Sequence, residues 1–401
     1  MKIIYQMPHT RPIVLYSKFR LWAFELLVIM SGKYTLVLGA HLLSTALILN
    51  IINFISPFLT TWICSCVSIY ILCMLTAAIT FQYTKVKFLN EKVETENRAV
   101  FITGCDTGFG HALAKRLDSK GFHVFASCLF PSGEGASRLK ASCSDRLLIL
   151  PLDVRKDDSV ENALNFVKEK LGSSELWAVV NNAGIFKGFS VEMSTMDEFK
   201  DVLDVNFLGT VRVTKAFLPL LKKSKGRIVN VTSAGGELSL PFAAPYISSK
   251  YAAVGFTDCL RHEIEMQGIS VVSIEPEAFY TPMAENFFRD WNWKTSSEAS
   301  TNDDCGDDYK KSLRDLINAG LSFVCRNPSI VVDDLESAVS LVHPDHTYKP
   351  RRHAFTRFIF FCYEVMPRSF RILIFKIILF IFFSEFKTPK NIVMKIISVE
   401  R

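Results

Sequence analysis

The chain has 401 residues, of which 49% are apolar and 33 are Phe, with a formal charge of +6. That length allows two or three domains without demanding them. The basic residues gather beside apolar segments instead of forming a basic face interleaved with aromatics, which argues against nucleic acid and for a membrane surface. The ten Cys make no CxxC pair and no Cys/His cluster, and nothing completes a ligand set around His343 and His346, so neither a disulfide framework nor a metal site is expected.

In chain order, residues 1–34 form a basic segment, and residues 1–24 carry no acid, which keeps a mitochondrial targeting role open. Thr35–Ile55 and Leu59–Phe81 are each long enough to cross a hydrocarbon core of about 30 Å as helices. Ser56-Pro57 breaks them. Lys18, Arg20 and Lys33 precede the pair and Lys85 and Lys87 follow it, as expected of a hairpin with both ends cytosolic. Residues 82–97 are charged and polar, a linker. From Arg98 strands alternate with helices: Arg98–Thr103, His123–Cys128, Leu147–Val154, Leu176–Val180, Arg227–Thr232 and Ile269–Ile274 are apolar strands. Val160, Ala163, Leu164, Val167 and Leu171 recur at helical spacing after Asp157 and Asp158. The fold class is therefore α/β, a Rossmann-type doubly wound parallel sheet. Residues 351–401 follow as an amphipathic tail in which Arg351, Arg352, Arg357, Arg368, Arg371 and Lys376 interrupt apolar runs. Such a tail lies in a membrane interface with its cations snorkelling, or in part covers the domain's own core.

The first strand runs into Thr103-Gly104-Cys105-Asp106-Thr107-Gly108-Phe109-Gly110 and then an amphipathic helix. Glycines in that strand–turn–helix context let the backbone approach a pyrophosphate seated on the helix N-terminus. The spacing TGxxxGxG resembles the short-chain dehydrogenase/reductase family, and further marks follow in order. These are Asp153 in LDV, Asn181-Asn182-Ala183-Gly184, Asn206 in DVNFLGT, Ser233, and the pair Tyr246 and Lys250 in YxxxK. The resemblance covers about residues 98–290. It points to the retinol, hydroxysteroid and 3-hydroxybutyrate dehydrogenase branch through ITGCDTGFG, GTVRVTKAFLPLLKKSKGRIVNVTS and IEP. It implies an NAD-binding catalytic domain at 98–290, with residues 291–350 as its substrate lid and C-terminal part. A homodimer or tetramer is implied as well. With the apolar pair it implies a multi-pass protein of the endoplasmic reticulum, the mitochondrial inner membrane being the alternative.

Alcohol oxidation requires that the hydroxyl proton leave as the hydride does. A Tyr phenol is a poor base at neutral pH, and Lys250, one helical turn on, is expected to lower Tyr246 toward working pH. Ser233 can stabilise charge on the substrate oxygen. The resemblance implies that Lys250 also holds the nicotinamide ribose, that Asn206 holds a relay water, and that Asp153 bonds the adenine amine. It implies cofactor contacts from Thr103, Gly104, Gly108, Phe109, Gly110, Asn181, Ala183, Gly184, Tyr246 and Thr281.

No basic residue stands in the glycine loop or at Cys128, Leu129 and Phe130, and Asp106 would repel a 2′-phosphate, so NAD is expected over NADP. The chain departs from the family's Pro-Gly at Pro276-Glu277; if that glycine serves a positive φ, Glu277 is strained and nicotinamide contacts suffer. In hydroxybutyrate dehydrogenases groups that pair with the substrate carboxylate lie at positions matching Phe186, Gly235 and Ala243, none of which can do so. Lys187 is the one exception nearby. Phe186, Phe242 and Phe279 are expected as apolar walls beside Ser233, so the substrate is a bulky lipophilic alcohol, steroid or retinoid. A 3-hydroxybutyrate-type activity is the alternative, and a catalytically weak binding protein on the same fold is the alternative of another class.

Overall fold

Among the described residues of the computed structural model there are seven strands: β1 Arg98–Ile102, β2 His123–Cys128, β3 Leu147–Pro151, β4 Glu175–Asn181, β5 Arg227–Val231, β6 Ser270–Ile274 and β7 Thr347–Tyr348. They make one parallel sheet in the order β3-β2-β1-β4-β5-β6-β7. The structure describes residues 90–294 and 324–385, with Asp315 and scattered positions between Leu47 and Thr80. The helices are α1 Gly108–Ser119, α2 Glu134–Ser142, α3 Asp157–Lys170, α4 Met196–Leu203, α5 Thr210–Ser224, α6 Ala244–Ile264, α7 Pro282–Lys294, α8 Ser329–Ser340, α9 Ala354–Val365 and α10 Arg368–Glu385.

Period-two alternation explains why the central strands read as unbroken apolar runs. Val100 and Ile102 of β1 pack with Leu113 and Leu117 of α1 and Val331 and Leu335 of α8. Their neighbours Ala99 and Phe101 join Val160 and Val167 of α3 and Val213 and Phe217 of α5 on the other face. A strand covered on both faces needs apolar residues throughout. Phe101, fully buried, stacks on Phe217 at 4.2 Å, and burying each such ring contributes about 2–3 kcal/mol. The third strand ends at Pro151, short of Val154; its last ladder bond runs from Leu152 N–H to the Cys128 carbonyl at 2.9 Å, and Pro151 is tolerated because β3 lies at the sheet edge. β7 has only two residues, too few for any hydropathy pattern to show.

The chain divides into two compact units, Val86–Met366 and Met1–Lys85 with Pro367–Arg401. In the first, the end of the charged stretch 82–97 joins the sheet domain: Lys92 bridges Leu341 and the Val93 N–H donates to the Ser340 carbonyl at 2.7 Å. In the second, the described positions between Leu47 and Thr80 are helical and exposed, Phe54 and Phe58 among them. The expected spans Thr35–Ile55 and Leu59–Phe81 lie largely outside the described residues. Among the described residues no helix is long and apolar enough to cross a membrane.

Candidate active site

β1 delivers the glycine loop to the first turn of α1. The Thr103 hydroxyl, buried, accepts the N–H groups of Asn182 and Ala183, each at 2.9 Å. The Asn182 amide donates back to the carbonyls of Thr103 (2.8 Å) and Gly104 (3.0 Å). Two segments far apart in sequence are thereby clamped at the C-terminal ends of neighbouring strands. The clamp leaves no room for side chains: a Cβ on Gly104 would lie 2.8 Å from Ala183 Cα, and one on Gly110 2.6 Å from the Gly104 carbonyl oxygen. Gly108 has φ +66 and faces open space. Thr107 caps α1 without a side-chain bond, and no acid stands in the first turn. The helix's first N–H groups are thus left unclaimed by side chains beside an open cradle, which fits a dinucleotide pyrophosphate.

Asn181 donates to Thr214 Oγ1 (3.0 Å) and Asn230 Oδ1 (2.8 Å), joining β4, α5 and β5 beneath the site. Asn206 sits in a π-helical turn, Asp204–Gly209, between α4 and α5; such turns recur at functional sites. Its amide accepts from Ile185 N (2.8 Å) and donates to Ile185 O (3.0 Å) and Ser249 Oγ (3.0 Å). Ser249 in turn donates to the Tyr246 carbonyl at 2.7 Å. The residue therefore ties the exit of the Asn-Asn-Ala-Gly loop, Gly184 included, to the turn of α6 that carries Tyr246. Ser233, just after β5, accepts the Gly235 N–H on its hydroxyl at 3.0 Å and stands beside the Tyr246 phenol, whose pKa it lowers. Lys250 is buried, donates to the Val231 carbonyl at 3.0 Å, and lies 5.6 Å from the Tyr246 ring centroid. All four residues come together.

Their electrostatics depart from expectation. Burial pushes the Tyr246 phenol above its ordinary value, with Ser233 opposing. Burial also brings Lys250 down to about 8. The expected lowering of Tyr246 by Lys250 is corrected: removing the pair from water disfavours both charged forms, and the ammonium spends its bond on Val231.

Phe186 lies between two rings, stacked on Tyr246 at 4.3 Å and on Phe287 of α7 at 3.9 Å. Behind it Phe189, fully buried, stacks on Phe242 at 5.1 Å and packs against Trp291. Phe242 holds φ +62, a left-handed conformation that non-glycine residues rarely adopt outside constrained sites. Phe279 does not join this wall. Its neighbours pair with Cys325 (Cys325 N to Ala278 O, 2.9 Å; Tyr280 N to Cys325 O, 2.8 Å), which turns its ring edge-on to Phe109 in the core on the α1 side of the sheet. Sequence reasoning missed Phe287, Phe288 and Trp291, although their spacing on one helical face was a legible signal. Lys187 forms an exposed ion pair with Asp201 at 2.7 Å.

At the far end of the cradle both Asp153 oxygens pair with Arg155 (2.9 and 2.8 Å), whose bonds hold that carboxyl below its usual range. Asp106 reaches across to the loop after β2 and accepts the N–H groups of Leu129 and Phe130, both at 2.9 Å. Arg138 pairs with Glu134 at 2.8 Å. Thr281 precedes α7, its hydroxyl accepting Ala284 N at 3.4 Å. Glu277 is not strained: it is absent from the positive-φ residues among those described. Its carboxylate instead bonds the Arg352 backbone and side chain.

A family model described as short chain dehydrogenase matches residues 98–292. Estradiol 17-beta-dehydrogenase 2 of Mus musculus is 39% identical over 267 residues, covering 65% of this chain and 70% of that protein. Retinol dehydrogenase 7 of Mus musculus is 38% identical over 278 residues, 66% of this chain and 85% of that protein. Among solved structures, the 3-ketoacyl-(acyl-carrier-protein) reductase from Brucella melitensis complexed with NADH has TM-score 0.51 and 25% identity, covering 64% of this chain and 97% of that one. The chain belongs to the short-chain dehydrogenase family, within its retinol and hydroxysteroid branch. It is an enzyme of the kind that acts on CH–OH groups.

Proposed function

We propose that the chain is a membrane-anchored, NAD-dependent dehydrogenase of bulky lipophilic alcohols, steroid or retinoid in kind. The observation that carries the reading is the stack Tyr246–Phe186–Phe287, an apolar wall starting at the phenol itself. A flat, apolar ring or polyene gains from such a wall, whereas a small hydroxy acid needs a cation for its carboxylate. Lys187, the one candidate cation, is already paired with Asp201. The names of the relatives, estradiol and retinol dehydrogenases, support the same class.

Lys250 keeps positive charge beside Tyr246 and Ser233. That charge, together with a nicotinamide cation when bound, would draw the phenol down from its raised resting value to the phenolate that takes the hydroxyl proton, while Ser233 holds the substrate oxygen. Asn206 sets the height of the Tyr246 turn through Ser249. A bound nicotinamide supplies the hydride acceptor. Thr103, Gly104, Gly108, Phe109 and Gly110 cradle its pyrophosphate, with Asn181, Ala183 and Gly184 beneath, Asp153 toward the adenine and Thr281 toward the carboxamide. The Asp106 carboxylate at the end of β2 supports NAD over NADP, since a 2′-phosphate would meet a negative charge there.

The anchor is the apolar pair 35–81, and of the tail 351–401 the exposed faces beyond His353 lie in the interface, since Arg351 and Arg352 are held by the catalytic domain. Support comes from the exposed Phe355, Phe358, Phe361 and Val365 of α9 and from Arg368, Arg371 and Lys376 along α10. We further assign the protein a multi-pass position in the endoplasmic reticulum and a homo-oligomeric state, readings that family resemblance supports. Rates for estradiol, testosterone, retinol and 3-hydroxybutyrate with NAD, side by side on the full-length protein, test the reading. Turnover of the lipophilic alcohols is expected. Efficient oxidation of 3-hydroxybutyrate alone, abolished by Lys187→Ala, would sink it.

A further inference from the structure

Beyond β6 the chain does not leave the sheet. The N–H groups of Ser273, Glu275 and Glu277 donate in turn to the carbonyls of His346 (2.9 Å), Tyr348 (2.8 Å) and Pro350 (3.3 Å). On the other side Thr232 N reaches Ile274 O (2.8 Å) and Ala234 N reaches Pro276 O (2.9 Å). The Ser233 turn, the loop carrying Glu277 and the segment 346–350 are therefore three adjoining lanes of one ladder.

A charge hub closes the lanes from outside. Lys349 Nζ donates to both oxygens of Glu237 (3.1 and 2.8 Å) and to Glu364 of α9 (2.9 Å), and lies 3.9 Å from Glu275 Oε2. Glu237 ends the short turn Ala234–Gly236 that starts from Ser233, and its carbonyl accepts the Tyr251 hydroxyl of α6 at 2.7 Å. It thus stands between the serine turn and the helix bearing Tyr246 and Lys250. Glu275 receives Ser273 Oγ on one oxygen (3.0 Å) and no hydrogen bond on the other. Arg351 donates only to the carbonyls of Glu275 and Pro350, under the Phe360 ring, and leaves Nε and Nη2 without partners. Three carboxylates around one ammonium is a poor stabilising arrangement, since apolar packing of the same volume would hold the segment at least as well. What it provides that apolar contact cannot is direction: bidentate charged bonds fix Glu237 at one point.

We propose that Lys349 is a positioning residue for Ser233, acting through Glu237, so that the segment 346–364 is part of the catalytic framework. The inference rests on the reading of Ser233 as the group that holds the substrate oxygen. The serine's hydroxyl must face both the phenol and the incoming oxygen, and Glu237 is the charged residue at the end of its turn, held by Lys349 through both carboxylate oxygens.

Full-length enzyme bearing Lys349→Met should lose about tenfold or more in kcat while KM for NAD stays within about twofold, because the glycine cradle is untouched. Lys349→Arg, which can still engage Glu237, should recover most of the loss. In a Ser233→Ala background the residual rate should not fall further on adding Lys349→Met, since the two act as one unit. Arg116→Met, which removes ion pairs to Asp333 and Glu336 elsewhere on the domain, controls for stability alone and should leave kcat unchanged. If Lys349→Met does not fold, Glu237→Gln reports the same link with about a threefold or greater fall in kcat. Wild-type kcat in either variant, or additive losses in the double variant, overturns the inference and leaves the reading of Ser233 intact. Wild-type turnover by Ser233→Ala alone removes both.

Discussion

Gly110→Ala is the sharpest probe of the cofactor cradle. The new Cβ would lie 2.4 Å from Asn182 Nδ2 and 2.6 Å from the Gly104 carbonyl oxygen. The carbonyl is backbone in a loop already at φ +70 and cannot swing aside, so the Asn182 amide must move. Moving it breaks the bonds to Thr103 O and Gly104 O. At about 1 kcal/mol each, the loss is roughly 2 kcal/mol, or about a 30-fold weaker hold on the dinucleotide. Calorimetric titration of the full-length protein with NAD, beside its melting temperature, measures both halves. Gly108→Ala is the comparison: it meets no neighbour and costs only its left-handed φ, about 1 kcal/mol. NAD affinity within about twofold of wild type in Gly110→Ala, with no change in melting, would refute the clamp.

Tyr246→Phe should cut turnover at least about 100-fold with NAD binding preserved, since only the proton acceptor is lost; appreciable residual activity would exclude it as the base. Phe287→Ala should raise KM for a lipophilic alcohol about tenfold and lower stability by about 3 kcal/mol, leaving KM for NAD unchanged, and an unaltered alcohol KM would remove Phe287 from the wall. Asp106→Ser should narrow the preference for NAD over NADP about tenfold in kcat/KM, measured with one alcohol, and an unchanged ratio would place discrimination elsewhere. Burial, reinforced by Glu237, raises Glu275 from 4.5 to about 7. The folded chain then binds more protons than the unfolded one between those values, so this group's stabilisation, worth about 3 kcal/mol, is full at low pH and lost as pH rises to about 7. Glu275→Gln should flatten the melting temperature between about pH 5 and pH 8, and an unaltered slope would show that other groups set it.

Much of the sheet was legible because its signals are local. A strand covered on both faces must be apolar throughout, and a glycine loop between strand and helix declares itself within Thr103–Gly110. Tyr246 and Lys250 share a helical face by spacing alone. β7 was invisible because two residues carry no period. The strand from Leu147 was overdrawn because apolarity continues to Val154 while its partner β2 ends at Cys128, so the ladder closes with the Leu152 N–H.

What the amino-acid order determined by itself was the succession of elements and the residues that can bear the chemistry. Only the tertiary structure decided which partner each of them meets. Phe186 finds Tyr246 and Phe287, Phe279 turns away to Phe109, Asp106 crosses to the end of β2, and Glu277 faces Arg352 without strain. The acidity of Tyr246 followed the same division: its pairing with Lys250 was readable from spacing, but its upward shift arises from burial. Covalent spacing sets what lies within one turn of a helix, whereas desolvation and contact between distant segments depend on how the layers close.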